Sequence, residues 1–248
     1  MIRDDENTIQ TEIVRLATNY GRYGTPRITR MMRKEGFKIN HKRVERIWRE
    51  LGLKVPRKMP KKLRLHLKDT DVVRFRAEHK NHIWCYDFVE DRLMNGSKLR
   101  WLNIVDEYTR ECIASIPKRT WSGNAMIETL SDIFMFRETP EYIRSDNGPE
   151  FASKKTRDYL QELGIITCFI EPGSPWENGY CESFNGKMRD EFLNLNIFRN
   201  RTEAEVLTKR WVWEYNNERP HSSLNYYTPA AYQTLVTNNT NRLTLNVD

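Results

Sequence analysis

Residues 54–68, KVPRKMPKKLRLHLK, hold seven basic side chains and two prolines without a sustained apolar period. A stretch with neither a helical nor an alternating repeat has no face to bury, and each proline pushes its predecessor toward extended backbone. No packed layer can run through it. The chain is therefore expected to fold as two bodies, residues 1–53 and residues 79–236, joined by a basic linker over 54–78 and followed by a polar tail, 237–248.

Before the linker the period is helical. Ile9, Ile13, Leu16 and Ala17 mark a short amphipathic helix over 9–19. A second follows, with Thr25 as its cap, Pro26 at its first position, Ile28, Met31 and Met32 as its stripe and Gly36 at its end. In the third, Asn40 caps a helix from His41 to Leu51 that ends at Gly52. Val44, Ile47, Trp48 and Leu51 share one face, and Lys42, Arg43, Arg46 and Arg49 lie largely off it. A tight turn between two short helices, the second strongly basic, has the form of a helix-turn-helix. The bland alternative is that these cations form the solvated face of a small bundle.

After residue 82 short runs rich in Trp, Ile, Val and Tyr read as strands at 83–90, 100–108 and 112–117, with Asn95-Gly96 as the first turn. A helix over 122–137, a strand at 141–144, a helix at 153–163, a strand at 165–170 and helices at 176–195 and 202–217 follow. Three consecutive strands and then alternating helix and strand indicate an α/β fold, a mixed sheet covered by helices.

Charge separates the same two bodies. The whole chain carries a net charge of +7 in 248 residues. Residues 1–70 contribute 19 basic and 8 acidic side chains, and the remainder 22 and 26, so the basic excess belongs wholly to the N-terminal part. That distribution suits a nucleic-acid-binding arm on a catalytic body, with Arg57, Lys58, Lys61 and Lys62 of the linker following a phosphate backbone. Cys85, Cys112, Cys168 and Cys181 stand far apart with no C-x-x-C pair, which disfavours a disulfide framework or cysteine zinc site. No apolar run is long enough to span a bilayer and no apolar leader is present, so a cytoplasmic, nucleoid-associated protein is expected.

The chemistry is carried by three acids. Asp87 interrupts an aromatic strand beside Trp84, Tyr86 and Phe88, a costly place for a carboxylate unless it is paired or binds a cation. Asp146 follows a strand end, where open α/β sheets gather ligands, and Asn147-Gly148 then turns the chain sharply. Glu182 sits on a helix with 35 residues between it and Asp146. On that helix Asn178, Asn185, Gly186 and Arg189 share the face of Glu182, Lys187 extends it, and Phe184, Met188 and Leu195 read as core. Three carboxylates suit two Mg²⁺ ions, with Mn²⁺ as a substitute, held about 3.5–4 Å apart for in-line displacement at a phosphodiester. Any one acid alone would be an ordinary surface residue, and Glu90, Asp91, Asp106, Glu107, Glu150 and Glu177 are rivals nearby. His79-x-x-His82 lacks a cysteine pair at zinc spacing, and His221 is not assigned to catalysis.

These segments resemble the bacterial insertion-sequence transposases of the IS-three family, whose catalytic core is of the retroviral-integrase type. SDNGPEF, WENGYCESFNGKMRDEF and YNNERPHSSLNYYTPAAY carry the likeness in the C-terminal body, and YGRYGTPRIT and INHKRVERIWRELGLK carry it in the N-terminal one. The resemblance implies a ribonuclease-H-like mixed five-stranded sheet with flanking helices, preceded by a small all-α helix-turn-helix domain. It implies Asp87, Asp146 and Glu182 as metal-binding acids and Arg189 at a position used in DNA contact. The expected activity is cleavage at element ends to expose a 3′-hydroxyl, followed by attack of that hydroxyl on another phosphodiester. Expected partners are double-stranded DNA at terminal inverted repeats, target DNA, and further copies of the chain in a homodimer or higher assembly. In that family an upstream reading frame supplies another helix-turn-helix and a leucine zipper. No sustained heptad occurs here, so the chain looks like the downstream-frame product, with the upstream product as a further partner. A nuclease that cuts without joining and a DNA-binding repressor are the competing readings.

Overall fold

The computed structural model describes residues 5–56, 75–146, 148–169 and 178–244. The linker cations Arg57, Lys58, Lys61 and Lys62, together with Asn147, Trp176 and Glu177, lie outside the described residues. The chain divides into two compact units, one of residues 1–72 with 219–227 and one of residues 73–218 with 228–248. The segment 219–227, expected within the C-terminal body, thus groups with the helical unit.

In the helical unit, α1 (Glu6–Asn19), α2 (Thr25–Lys34) and α3 (His41–Glu50) surround a core of Ile9, Ile13, Leu16, Ile28, Met32, Val44 and Ile47. Each aliphatic side chain buried there contributes about 1.5–3 kcal/mol. Asn40 caps α3 as expected, its side chain accepting from the Lys42 backbone N–H at 3.0 Å. The α2 cap differs: Gly24 holds the N-cap position, and Thr25 is already helical. Leu51, read as part of the apolar face, is exposed, since it lies beyond the last turn of α3.

The second unit is built on one sheet in the order β3-β2-β1-β4-β5. β1 (Ile83–Arg92), β2 (Lys98–Asp106) and β3 (Cys112–Lys118) form an antiparallel meander, and β4 (Tyr142–Ser145) and β5 (Ile166–Phe169) add parallel to β1. Parallel neighbours require crossover connections. α4 (Gly123–Phe134) supplies the first, and α5 (Pro149–Ala152) with α6 (Lys154–Glu162) the second. Ser122 and Ser153 cap α4 and α6 by accepting from the backbone N–H groups of Ala125 and Thr156.

Strand alternation divides the core between two faces. Trp84, Tyr86, Leu102 and Ile104 pack with Met126, Leu130, Phe151 and Leu160 of α4, α5 and α6. Cys85, Val89, Trp101 and Val105 pack with Cys181, Phe184 and Met188 of α7 (Gly179–Glu191) and with Trp211 and Tyr215 of α8 (Arg201–Asn217). Cys85, Cys112 and Cys181 are buried and all four cysteines carry free thiols.

Two sequence expectations change here. α9 (Pro229–Thr244) is a helix where a polar tail from 237 was expected. Its asparagine-rich sequence has weak intrinsic propensity, but Thr228 accepts from the Ala231 N–H at 3.2 Å, and Gln233 reaches Glu111 at 2.5 Å. Leu195, read as core, is exposed in a 3₁₀ turn beyond the end of α7.

Candidate active site

Asp87 owes its surroundings to the two-residue period of β1. Trp84, Tyr86 and Phe88 face α4 and α5, so the alternating position between Cys85 and Val89 turns the carboxylate toward α7. The aromatic run that isolates Asp87 in sequence lies on the opposite side of the sheet. Its two oxygens are held separately, Oδ1 by the Phe88 backbone N–H at 2.7 Å and Oδ2 by Asn185 Nδ2 at 2.9 Å.

Asp146 follows β4 directly. β1 and β4 pair in parallel through Cys85 and Arg144, and the same register continued two residues places Asp146 level with Asp87. The loop after it is shaped around the acid. The Gly148 N–H donates to Asp146 Oδ1 at 3.0 Å, and a Cβ on Gly148 would stand 3.0 Å from that oxygen and 3.3 Å from the Phe151 ring. Phe151 anchors the loop by stacking on Phe88 at 4.9 Å and packing against Tyr86 at 4.2 Å. Arg100 ties it from above, pairing with Glu150 at 2.5 Å while lying 4.1 Å over the Phe88 ring.

α7 carries Glu182. Phe184 and Met188 bury one side of that helix and fix its rotation, which leaves Glu182 and Asn185 half-buried on the side of Asp87. Asp87 senses the charges of the other two acids. Burial pushes the Asp87 carboxyl up to about 6, with the negative charges of Asp146 and Glu182 adding to the rise and the Phe88 and Asn185 donors opposing it.

The rivals have other work. Asp106 accepts four hydrogen bonds in the turn after β2, Glu107 pairs with buried Arg144 at 2.6 Å, and Glu90 and Glu150 both meet Arg100.

Several residues expected to face DNA are placed otherwise. Asn185 turns inward, because the helix face shared with Glu182 is the one that meets the sheet; it donates to Asp87 and accepts from Asn103 at 2.7 Å. Asn178 is buried at the start of α7. Arg189 is exposed and donates to the Glu90 carbonyl at 2.7 Å, and Lys187 is half-buried. In α3, Lys42 and Arg49 are exposed, whereas Arg43 binds Asp5 at 2.7 Å and Glu6 at 2.6 Å, and Arg46 binds Glu6 at 2.5 Å and Glu50 at 2.9 Å. Those acids belong to the start of α1 and the end of α3, so Arg43 and Arg46 hold the helices together.

Asn103 and Ser115 were missed by sequence reading. The signal was present: an amide inside the apolar run Trp101-Leu102-Asn103-Ile104-Val105 poses the same burial problem as Asp87. His79 and His82 stack at 4.6 Å, and Glu141 lies 3.2 Å from the first and 3.9 Å from the second. His82 Nδ1 accepts the Glu78 N–H at 3.0 Å, so the neutral ring keeps its proton on Nε2, the nitrogen a metal would need. This trio reads as a pair of stacked rings beside a carboxylate.

Two family models, each described as an integrase core domain, match residues 77–175 and 163–229, and one described as an HTH-like domain matches residues 3–61. A 31.7 kDa protein of insertion element IS407 from Burkholderia multivorans is 35% identical over 92% of this chain and 82% of its own length. The putative transposase InsK of insertion sequence IS150 from Escherichia coli is 29% identical over 87% of this chain and 78% of its length. Among solved structures, the HTLV-2 integrase catalytic core in complex with magnesium aligns with a TM-score of 0.50 at 19% identity, covering 64% of this chain and 99% of that one. At that identity the likeness is one of fold.

Proposed function

This chain belongs to the integrase-core transposases of bacterial insertion elements, which are polynucleotidyl transferases, and on that footing we propose that Asp87, Asp146 and Glu182 form its metal-dependent catalytic centre. The observation that carries the reading is the placement of the three acids: half-buried Asp87 on β1, Asp146 level with it in the parallel register at the end of β4, and Glu182 one turn before Asn185, which bonds Asp87 from α7. Clustered carboxylates of this kind repel one another unless a cation is shared, and an all-oxygen donor set suits Mg²⁺, with Mn²⁺ as a substitute. Bound there, a metal pair would supply Lewis-acid stabilisation of the attacking and leaving oxygens.

The chain's own residues prepare the site. Asn185 and the Phe88 N–H fix the two oxygens of Asp87, and the Gly148 N–H orients Asp146. In cleavage a water oxygen joins phosphorus as the P–O3′ bond at the element end breaks, which frees a 3′-hydroxyl. In joining, that hydroxyl oxygen makes a new P–O bond to a target phosphate as the target strand's own P–O3′ bond breaks, leaving a 3′-hydroxyl on the target. No covalent protein intermediate is required.

The helix-turn-helix unit would read the terminal inverted repeats, with exposed Lys42 and Arg49 and the linker cations Arg57, Lys58, Lys61 and Lys62 contacting phosphate. Arg189 and Lys187 would extend the contact beside Glu182. Action at two DNA ends points to a homodimer or higher assembly, with the upstream-frame product as a partner, in the bacterial cytoplasm. Incubating the protein with duplex DNA carrying the element ends and Mg²⁺ tests the whole reading. Joined products are expected; cuts without joining would make it a nuclease, and binding without reaction a repressor.

A further inference from the structure

A row of polar side chains crosses the apolar face of the sheet behind the three acids. Asp87 on β1 stands opposite Asn103 on β2, and Asn103 stands opposite Ser115 on β3. All three occupy the face covered by α7, otherwise filled by Cys85, Val89, Trp101, Val105, Phe184 and Met188. Asn103 is fully buried. An amide at such a place persists only where its hydrogen bonds are made.

The bonds made here run one way. Ser115 Oγ donates to Asn103 Oδ1 at 2.7 Å, Asn103 Nδ2 donates to Asn185 Oδ1 at 2.7 Å, and Asn185 Nδ2 donates to Asp87 Oδ2 at 2.9 Å. The second proton of the Asn103 amide points at Met188 Sδ, 3.4 Å away. Turning the Asn103 amide over would set two carbonyl oxygens against each other at Asn185. The carboxylate of Asp87 accepts only, so it orients the Asn185 amide, Asn185 orients Asn103, and the Ser115 hydroxyl supplies the donor that Asn103 Oδ1 then requires.

Asn185 lies one helical turn beyond Glu182 on α7. The bond from Asn103 thus ties α7 to β2 beside Asp87, while the next bond in the row ties α7 to Asp87 itself. We infer that Asn103, its carbonyl satisfied by Ser115, is a positioning residue that sets the placement of the Glu182-bearing helix against Asp87. Its side chain reaches Asp87 through Asn185. This inference rests on the reading of Asp87 and Glu182 as metal-binding acids, and residues that orient metal-binding side chains typically account for roughly tenfold to a hundredfold in metal affinity.

The test measures Mn²⁺ binding to the full chain without DNA, by the loss of the free-ion electron paramagnetic resonance signal, alongside cleavage of end DNA. Asn103→Leu, close in size but unable to bond, is expected to weaken Mn²⁺ binding by roughly tenfold to a hundredfold. Ser115→Ala should weaken it severalfold, and Ser115→Thr, which keeps the hydroxyl, should restore it. Asp87→Asn is the reference. If it binds Mn²⁺ like wild type, the metal-site reading fails and the inference falls with it. If Asp87→Asn loses Mn²⁺ while folded Asn103→Leu keeps wild-type affinity, the positioning role alone is overturned. Should Asn103→Leu not fold, the Ser115 pair decides: equal binding by the Ala and Thr variants, whether retained or lost, rules the relay out.

Discussion

Asp106 and Asp87 lie three rungs apart on the β1–β2 ladder, the first opposite Trp84 and the second opposite Asn103. Burial pushes both carboxyls up. Around Asp106 four donors close in: the backbone N–H groups of Asn81, Tyr108 and Thr109 at 2.7–2.8 Å and the Thr109 hydroxyl at 3.0 Å. Its neighbour Glu107 is paired with Arg144. Asp87 has two donors and faces two more acids. The carboxylate at the end of β2 is taken up in turn geometry, and the one on β1 has fewer donors and stands among like charges. An acid with its lone pairs filled is architecture, while one held among like charges remains available for a cation.

The sharpest way to break this contrast is to neutralise the unfilled site. Asp87→Asn, Asp146→Asn and Glu182→Gln are each expected to lower end cleavage by at least about a hundredfold to a thousandfold, the scale of losing a group that stabilises developing charge. Retained cleavage in any one would remove that residue from the centre. Asp87→Asn should at the same time stabilise the metal-free protein at pH 7. A carboxyl raised in the folded state to about 6 from 3.8 binds protons more tightly folded than unfolded, so its contribution to stability falls as pH rises across that window. The gain at pH 7 is on the order of 2–3 kcal/mol, read from denaturant curves at pH 4 and pH 7; equal gains at both would contradict it.

The filled site should respond in the opposite sense. Asp106→Ala strands several buried donors and is expected to destabilise the core by on the order of 3 kcal/mol or more. Protein that remains folded should keep its Mn²⁺ affinity. A change below about 0.5 kcal/mol, the range of ordinary surface substitutions, would mean that the turn does not depend on this acid.

Arg43 extends the comparison into the helical unit, where Glu6 is held below the usual carboxylate range by its hydrogen bonds to Arg43 and then Arg46. Arg43→Met should destabilise that unit measurably, since it removes the guanidinium that joins Asp5 and Glu6 at the start of α1 to α3. Lys42→Ala and Arg49→Ala should leave stability within about 0.5 kcal/mol. They should instead weaken DNA binding and make its salt dependence shallower by about one unit per lost phosphate contact. The reverse pattern would return Arg43 to DNA.

The smallest expected effect is that of Gly148→Ala. The backbone angle tolerates alanine, with φ at −56°, but the new methyl presses on Asp146 Oδ1 and Phe151. Cleavage should fall roughly tenfold through misplacement of one acid, with little change in melting temperature. An unaltered rate would show that the loop yields without moving Asp146.

Much of this was legible in the chain. The order of helices and strands and the cap at Asn40 depend on neighbours a few residues away, which is the range over which sequence pattern acts. The opposite happened with Arg43, whose partners Asp5 and Glu6 lie 38 and 37 residues off, and with α9, whose docking outweighs its weak propensity. Helical spacing placed Asn185 beside Glu182 but could not say whether that face met DNA or the sheet.

By itself, then, the sequence determined the α/β order of the second body and singled out Asp87, Asp146 and Glu182 as the acids to test, because period, turn residues and a costly carboxylate are local facts. Only the tertiary structure decided which charges were already neutralised, which amides turned inward, and that Asn103 and Ser115 stand in line behind Asp87. The charges pair because α1 and α3 meet, and the row behind Asp87 follows from the β1–β2–β3 register and from the rotation of α7, which Phe184 and Met188 fix by packing against residues far away in the chain.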